Sequence, residues 1–314
     1  MFWAAVAVIG GIALAVLSAD KFVEGAASLA SRLGMSHLLI GLTIISIGTS
    51  APELLVSAIA ALNGSPSLAL GNALGSNITN IALVLGATAC ILPLIVPRQL
   101  VKRELPLLLL ISLVIFVLAY RGIFDRLSGS LLLAALPAVL YNLSKDEPAS
   151  EGNVEIHSLS LGFSIVLTLA GLTVLLGSSE VLVWGAVEIA RFFGVSELVI
   201  GLTIVAIGTS LPELAASVAA ALKNRTDMAF GTVIGSNIFN SLGVIGIASI
   251  ISPFAIEPEV LQRDLPWALG LTLLFYLLAR FSTRRIFTRS HGILLLLLYV
   301  SYLWHISATT MPNQ

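Results

Sequence analysis

One phrase is written twice in this chain, as GLTIISIGTSAPEL at 41–54 and GLTIVAIGTSLPEL at 201–214. Each copy places a carboxylate, Glu53 or Glu213, inside a strongly apolar stretch. An ionisable side chain at membrane depth is costly and marks an ion or substrate path. Shifting the chain by 160 residues aligns the halves without a gap, pairing Gly41 with Gly201, Thr49 with Thr209, Ser76 with Ser236 and Asn80 with Asn240. Between 36–54 and 196–214, fourteen of nineteen positions are identical, far beyond chance, so the chain is an internal duplication.

Charged residues make up 11% of the 314-residue chain, and the mean hydropathy is +1.02. A soluble domain carries roughly 25% charged residues, so this is a polytopic membrane protein. Ten segments suit helices crossing about 30 Å of hydrocarbon: 2–19, 37–62, 67–92, 104–120, 124–143, 159–179, 196–222, 228–251, 264–280 and 290–307. The first lacks a basic n-region and reads as a span, not a signal peptide. Cys90 lies in an apolar run and reads as a small buried hydrophobe, which excludes disulfides and cysteine-rich metal sites. The expected fold class is an all-α membrane protein, with ten transmembrane helices in two inverted five-helix repeats. Residues 1–143 and 159–314 are the repeats, joined by a polar linker at 144–158. That linker carries Asp146, Glu147, Glu151 and Glu155 but has no EF-hand spacing. Five spans per repeat, an odd number, make the second copy enter the membrane from the opposite side.

With the N-terminus outside, inner loops carry twelve of the sixteen Lys and Arg residues and outer loops four, namely Arg121, Arg126, Arg191 and Arg263. The positive-inside rule then puts both termini outside.

Ser46, Thr49, Ser50 and Glu53 follow i, i+3, i+4, i+7 spacing and share one helix face. Pro52 leaves the Gly48 carbonyl without its helical partner, and Gly48 weakens the helix further. A break is expected near Thr49, freeing backbone carbonyls beside hydroxyls and a carboxylate. The second copy repeats this with Thr209, Ser210, Pro212 and Glu213, with Ala206 in place of Ser46. GNALGSNITN at 71–80 and GTVIGSNIFN at 231–240 add Ser76 with Asn80 and Ser236 with Asn240 as i, i+4 pairs. Gly71, Gly75, Gly231 and Gly235 permit close helix approach, and Asn77 and Asn237 are assigned to packing or backbone satisfaction. These donors are all oxygens, which suit a hard cation. Calcium takes 6–8 of them in flexible geometry, whereas soft transition metals would want His or Cys.

Asp20 and Glu180 are repeat mates at the ends of the first and sixth spans, where they can cap, pair with basic residues or line an ion entrance. Asp227 reads as a surface pair with Lys223 and Arg225. His37, His157, His291 and His305 read as interfacial, with His37 able to tune a pH response. RELP at 103–106 and RDLP at 263–266 read as helix starts with Pro in the first turn.

IGTSAPE with GNALGSNITN, and IGTSLPE with GTVIGSNIFN, resemble the two alpha-repeats of the sodium/calcium exchanger family of the cation/calcium antiporter superfamily, in its short prokaryotic form. The resemblance covers nearly the whole chain. It implies alternating access, with calcium leaving the cell against entering sodium, and first and sixth spans that slide across eight central helices. It also implies that Glu53 and Glu213 ligate both ions and that the carbonyls of Thr49 and Thr209 complete the calcium site. Hydroxyls of Thr49, Ser50, Ser76, Thr209, Ser210 and Ser236, with carbonyls at Ser46 and Ala206, would form sodium sites flanked by Asn80 and Asn240. Many family members carry Asp where this chain has Asn240. Two carboxylates then give the site a charge of −2, which one calcium ion neutralises and three sodium ions exceed.

Three readings stay open on the residues: a sodium-driven calcium antiporter of the cell membrane, a proton-coupled antiporter of calcium or another divalent cation, and a cation channel. No enzyme motif is present. No cofactor is expected, and the ligands are the transported Ca2+ and Na+, or H+. The expected partners are these ions and the lipid bilayer, with no nucleic acid and no obligate protein partner.

Overall fold

A computed structural model describes residues 1–32, 35–145, 159–194 and 206–310. The linker from 146 to 158, which includes His157, and residues 195–205, which include the start of GLTIVAIGTSLPEL, lie outside the described residues. The helices in chain order are α1 (Phe2–Arg32), α2 (His37–Thr49), α3 (Ala51–Leu62), α4 (Pro66–Ile91), α5 (Leu105–Ala119), α6 (Arg126–Ser144), α7 (Leu161–Phe192), α8 (Ala206–Thr209), α9 (Leu211–Leu222), α10 (Thr226–Ile251), α11 (Leu265–Arg280) and α12 (Arg289–Thr310). Among the described residues six are long and apolar enough to cross a membrane, or seven if α2 and α3, bent by 46° at Ser50, make one span. Each element of the first half has a mate about 160 residues later.

α4 and α10 form the centre, with 72% and 78% of their apolar windows buried against 22–33% for α1, α6, α7 and α12. α2 and α6 pack on α10, while α12 and α9 pack on α4. The α2–α10 crossing is backbone on backbone. A Cβ on Gly231 would lie 2.4 Å from the Leu38 carbonyl oxygen, and one on Gly41 would lie 2.3 Å from that of Met228. Gly235 meets Leu42 and Ser46 in the same way. By the 160-residue shift, the corresponding partners of Gly71 and Gly75 fall largely on 195–205, outside the described residues.

Two helices run well beyond their expected ends. α1 continues past Ala19 to Arg32, and α7 continues past Ser179 to Phe192. The charges that suggested the first span's end are accommodated on the helix itself: Lys21 pairs with Glu24 at 2.9 Å, one turn on. α1 and α7 lie antiparallel and use repeat-mate glycines. Gly11 sits on Leu182 and Gly185 on Ala4 and Val8, while Gly25 sits on Thr168 and Gly171 on Phe22. The Ser28 and Ser164 hydroxyls, 2.9 Å apart, bridge the pair.

RELP and RDLP do not start helices. The chain is already helical before them, and π-turns at Leu100–Glu104 and Val260–Asp264 precede α5 and α11. Widening the turn accommodates the missing N–H and the ring of Pro106 and Pro266 without ending the helix. The all-α expectation also missed four two-residue strands: β1 (Leu94–Ile95), β2 (Ile123–Phe124), β3 (Phe254–Ala255) and β4 (Ile286–Phe287). β1 pairs antiparallel with β4, and β2 with β3. Each ladder thus takes one strand from each half.

Candidate cation site

Ser50 (φ −85°, ψ 4°) and Ser210 (φ −93°, ψ 6°) interrupt the two signature helices. The interruption places Glu53 and Glu213 in the first turns of α3 and α9, where the helix dipole favours negative charge. The two carboxylates are 1% and 0% exposed, and each lies within the electrostatic reach of the other. Ser50 donates across the halves to Glu213 Oε1 at 3.1 Å, and Ser236 reaches the same oxygen at 3.5 Å. The Thr49 hydroxyl donates to the Ile45 carbonyl at 3.1 Å and also faces Glu213.

On the central helices, Asn80 donates its amide to Asn237 Oδ1 at 3.1 Å, and Asn237 donates to the Asn77 carbonyl at 3.3 Å. Asn77 in turn donates to Ser241 at 3.0 Å. Ser46, Ser76, Asn80, Ser210 and Asn240 are all buried, and Thr209 is partly exposed. Ser46 donates its hydroxyl hydrogen to the Leu42 carbonyl at 2.8 Å, and its own carbonyl accepts from the Ser50 N–H at 2.9 Å. Ala206 opens α8.

Several buried oxygens are left without a hydrogen-bond partner: Glu53 Oε2, Glu213 Oε2, Asn80 Oδ1, Asn240 Oδ1 and Ser210 Oγ. Buried polar atoms are almost always paired; Asn240 Nδ2, Asn77 Oδ1, Ser217 Oγ, Arg225 Nε and both oxygens of Glu104 are bare as well, and the oxygens on Glu53, Glu213, Asn80, Asn240 and Ser210 are the ones carried by candidate site residues named from the sequence. No group of three or more His, Cys, Asp and Glu side chains converges among the described residues. Any ion here is held by two carboxylates and neutral oxygens.

The sequence assigns Asn77 and Asn237 to packing or backbone satisfaction, and Asn237 does satisfy a backbone group, the Asn77 carbonyl. Asn237 does more, because accepting from Asn80 turns Asn80 Oδ1 away from the protein's own donors. Asn72 was missed. It donates to the Glu53 carbonyl at 3.3 Å and to Ser57 at 3.0 Å, tying the first turn of α3 to α4. Its place in GNALGSN, one turn before Ser76, was the available signal. Asp227 faces Arg225, as its place in the sequence suggests, and also His37 on α2, 3.9 Å from its carboxylate, but not Lys223. Lys223 instead reaches across to α1, 2.8 Å from Asp20 and 4.0 Å from Glu24, and Arg225 donates to the Val23 carbonyl at 3.5 Å.

A cavity of about 340 Å³ between α7 and the α3/α9 layer reaches Pro52, Thr209 and Pro212, with Glu180 on its wall. Among the mates of its lining on the α1 side, Ala19, Val23, Thr49 and Ala216 are buried, whereas Val16 is 60% exposed and Asp20 and Glu24 are partly exposed. The α7 side thus carries a cavity beside both signature prolines, and at the corresponding place on the α1 side stands the Lys223–Asp20 contact.

The family profile described as sodium/calcium exchanger protein matches residues 3–145 and 163–308. The inner membrane protein YrbG of Escherichia coli is 38% identical over 298 residues, covering 88% of this chain and 89% of its own length. The sodium/calcium exchanger MaX1 of Methanosarcina acetivorans is 28% identical, covering 93% and 95%. A crystal structure of the sodium-calcium exchanger NCX_Mj, soaked with sodium and without calcium, superposes with a TM-score of 0.83 at 36% identity over 99% of both chains.

Proposed function

As a member of the sodium/calcium exchanger protein family, this chain is a membrane cation antiporter, and we propose that it exchanges calcium for sodium across the cell membrane by alternating access. The observation that carries the reading is the set of bare buried oxygens on Glu53, Glu213, Asn80, Asn240 and Ser210. Glu53 and Glu213 ligate calcium with the carbonyls of Thr49 and Thr209. Sodium uses the same carboxylates with Ser50, Ser76, Ser210 and Ser236 and the carbonyls at Ser46 and Ala206.

The architecture that supports this is ten spans in two inverted halves, 1–143 and 159–314, joined at 144–158. The four spans beyond the six long helices are the bent α2–α3 pair, α5 and α11 behind their π-turns, and the one that contains α8 and α9. The strand pairings support the inversion: a two-fold axis in the membrane plane exchanges β1 with β3 and β4 with β2, and so exchanges one ladder for the other. With both termini outside, as the basic residues favour, the open α7-side cavity faces outward. The α1–α7 pair, mostly lipid-exposed and joined through small residues, is suited to move as a unit over the centre.

Calcium flux in proteoliposomes tests the coupling ion. A sodium gradient should drive calcium uptake with no pH gradient present. Two carboxylates, with amides at both Asn80 and Asn240, also suit proton coupling, and uptake driven by pH and indifferent to sodium would establish that reading instead. Asn237→Ala frees the Asn80 amide and is expected to raise the apparent KM for calcium about fivefold or more, a loss of roughly 1 kcal/mol; an unchanged KM would remove Asn237 from a positioning role.

The Lys223–Asp20 contact holds α1 to the end of α9 on the inner side, and its mates, Asn63 and Glu180, cannot form an ion pair, so the contact favours the outward-facing arrangement. Partly exposed ion pairs contribute up to about 1 kcal/mol. With Cys90→Ser removing the native thiol, a cysteine replacing Ser179 on the open cavity should react several-fold more slowly with an impermeant maleimide once Lys223→Gln is added. Equal rates would show that the contact sets no bias.

A further inference from the structure

We propose that the end of the molecule carrying the β1–β4 ladder holds a binding site for an anionic phospholipid headgroup. A cavity of about 340 Å³ opens there between the start of α5 and the end of α11. Its wall carries Arg98, Lys102, Arg280 and Arg285, with Ser282 as a further polar group and Tyr276 among its apolar lining, and no Asp or Glu. Among the described residues none of the four cations forms an ion pair with a carboxylate, unlike Lys21, Arg121, Arg191, Lys223 and Arg263. Four like charges facing one concavity repel one another and are stabilised by an anion.

The repeat shows that the fold itself does not require these charges. At the opposite end the mates of Arg98, Lys102 and Arg280 are Pro258, Gln262 and Tyr120. The residue before β2, which corresponds to Arg285 before β4, is Gly122. Gly122 takes a left-handed φ of 80° without strain, whereas Arg284 and Arg285 are held at 54° and 55°. Non-glycine residues in that region are uncommon and cost free energy. The loop thus keeps an arginine where its mate shows that glycine serves the backbone better.

Phosphate anions match this chemistry, since guanidinium groups bind phosphate oxygens in pairs. A membrane source is favoured over a free phosphate by the surroundings. The cavity lies at the end of two spans, on the face that the basic residues assign to the cytoplasm. Ile95 and Phe281, 66% and 74% exposed, flank it with apolar surface for the acyl chains. Basic pockets between spans on this face are suited to phospholipid headgroups.

Native mass spectrometry of the full chain, purified in a mild detergent and titrated with cardiolipin, tests the site. The Arg98→Gln, Arg280→Gln double variant should retain cardiolipin about tenfold more weakly than the parent chain. Arg121→Gln, at the opposite end, should not change retention. Calcium exchange in vesicles of phosphatidylcholine alone reports whether the double variant is folded; if it is not, Lys102→Gln alone, with a smaller loss of retention, replaces it. Equal cardiolipin retention by the parent and the folded variant would overturn the proposal. Displacement of cardiolipin by inorganic phosphate at millimolar concentration would assign the site to a soluble anion and overturn the lipid reading.

Discussion

Glu213→Gln is expected to lower calcium exchange at least about 100-fold while leaving the protein folded, and Glu53→Gln is expected to do the same. The side chain keeps its shape, so packing around α9 and α3 is preserved, and Ser50 and Ser236 can still donate to the remaining oxygen of residue 213. What changes is the atom now bare, Oε2, which becomes an N–H donor facing the cation. One of two charges also leaves a site with few water contacts. A 100-fold loss corresponds to about 2.7 kcal/mol, modest for a charge removed from beside an ion in a low-dielectric setting. Calcium uptake into proteoliposomes checks the rate, and elution as a single sharp species from a sizing column checks the fold. Because each carboxylate is buried beside the other without a counter-charge, removing one should also raise thermal stability in calcium-free, sodium-free buffer. Wild-type exchange by either variant would remove that carboxylate from the ion path.

Gly231→Val should abolish the folded protein. The added Cβ falls 2.4 Å from the Leu38 oxygen and 3.0 Å from the Gly41 Cα. Both are backbone atoms of α2, so no rotamer change relieves the clash. The helices must separate, and the Ser46–Gly235 contact just beyond, which positions the first signature segment, is lost with them. Overpacking with side-chain neighbours costs about 1–3 kcal/mol; displacing a backbone crossing exceeds that and consumes much of a typical stability of roughly 5–15 kcal/mol. Gly270→Ala provides the contrast. Nothing lies within 4 Å of its would-be Cβ, so the change should be neutral or slightly stabilising through helix propensity. Fluorescence-detected size exclusion at rising temperature separates the two. A folded Gly231→Val with an unchanged melting point would show the crossing to be looser than these distances require.

The carboxylates, the helix break and the pairing of halves were legible because duplication wrote each of them twice: a proline three residues after GT in both copies specifies a kink, and Ser50 and Ser210 are where the kinks occur. The ends of α1 and α7 were not legible. Asp20, Lys21 and Glu24 look like the end of a span when counted by hydropathy, yet they satisfy one another and Lys223 on a partly exposed stretch within α1. The positioning by Asn237 was hidden because its partner, Asn80, is 157 residues away in the chain, and one sequence does not reveal which amide faces which. The β-ladders escaped because a two-residue strand has no periodicity. The π-turns escaped because Pro106 and Pro266 advertise a helix start equally well when the helix has already begun.

Those small ladders have a further consequence for how such a protein can be assembled. A pair of two-residue strands has no stability of its own, and neither half contains both partners of either ladder. Each half made alone would carry two unsatisfied backbone edges, one at each membrane surface, together with one carboxylate and no opposing one. Severing the linker between synthesis units therefore yields two polypeptides whose exposed hydrogen-bonding groups match only each other. Co-produced halves should find one another as complementary fragments, and a matched pair should form in preference to two copies of either.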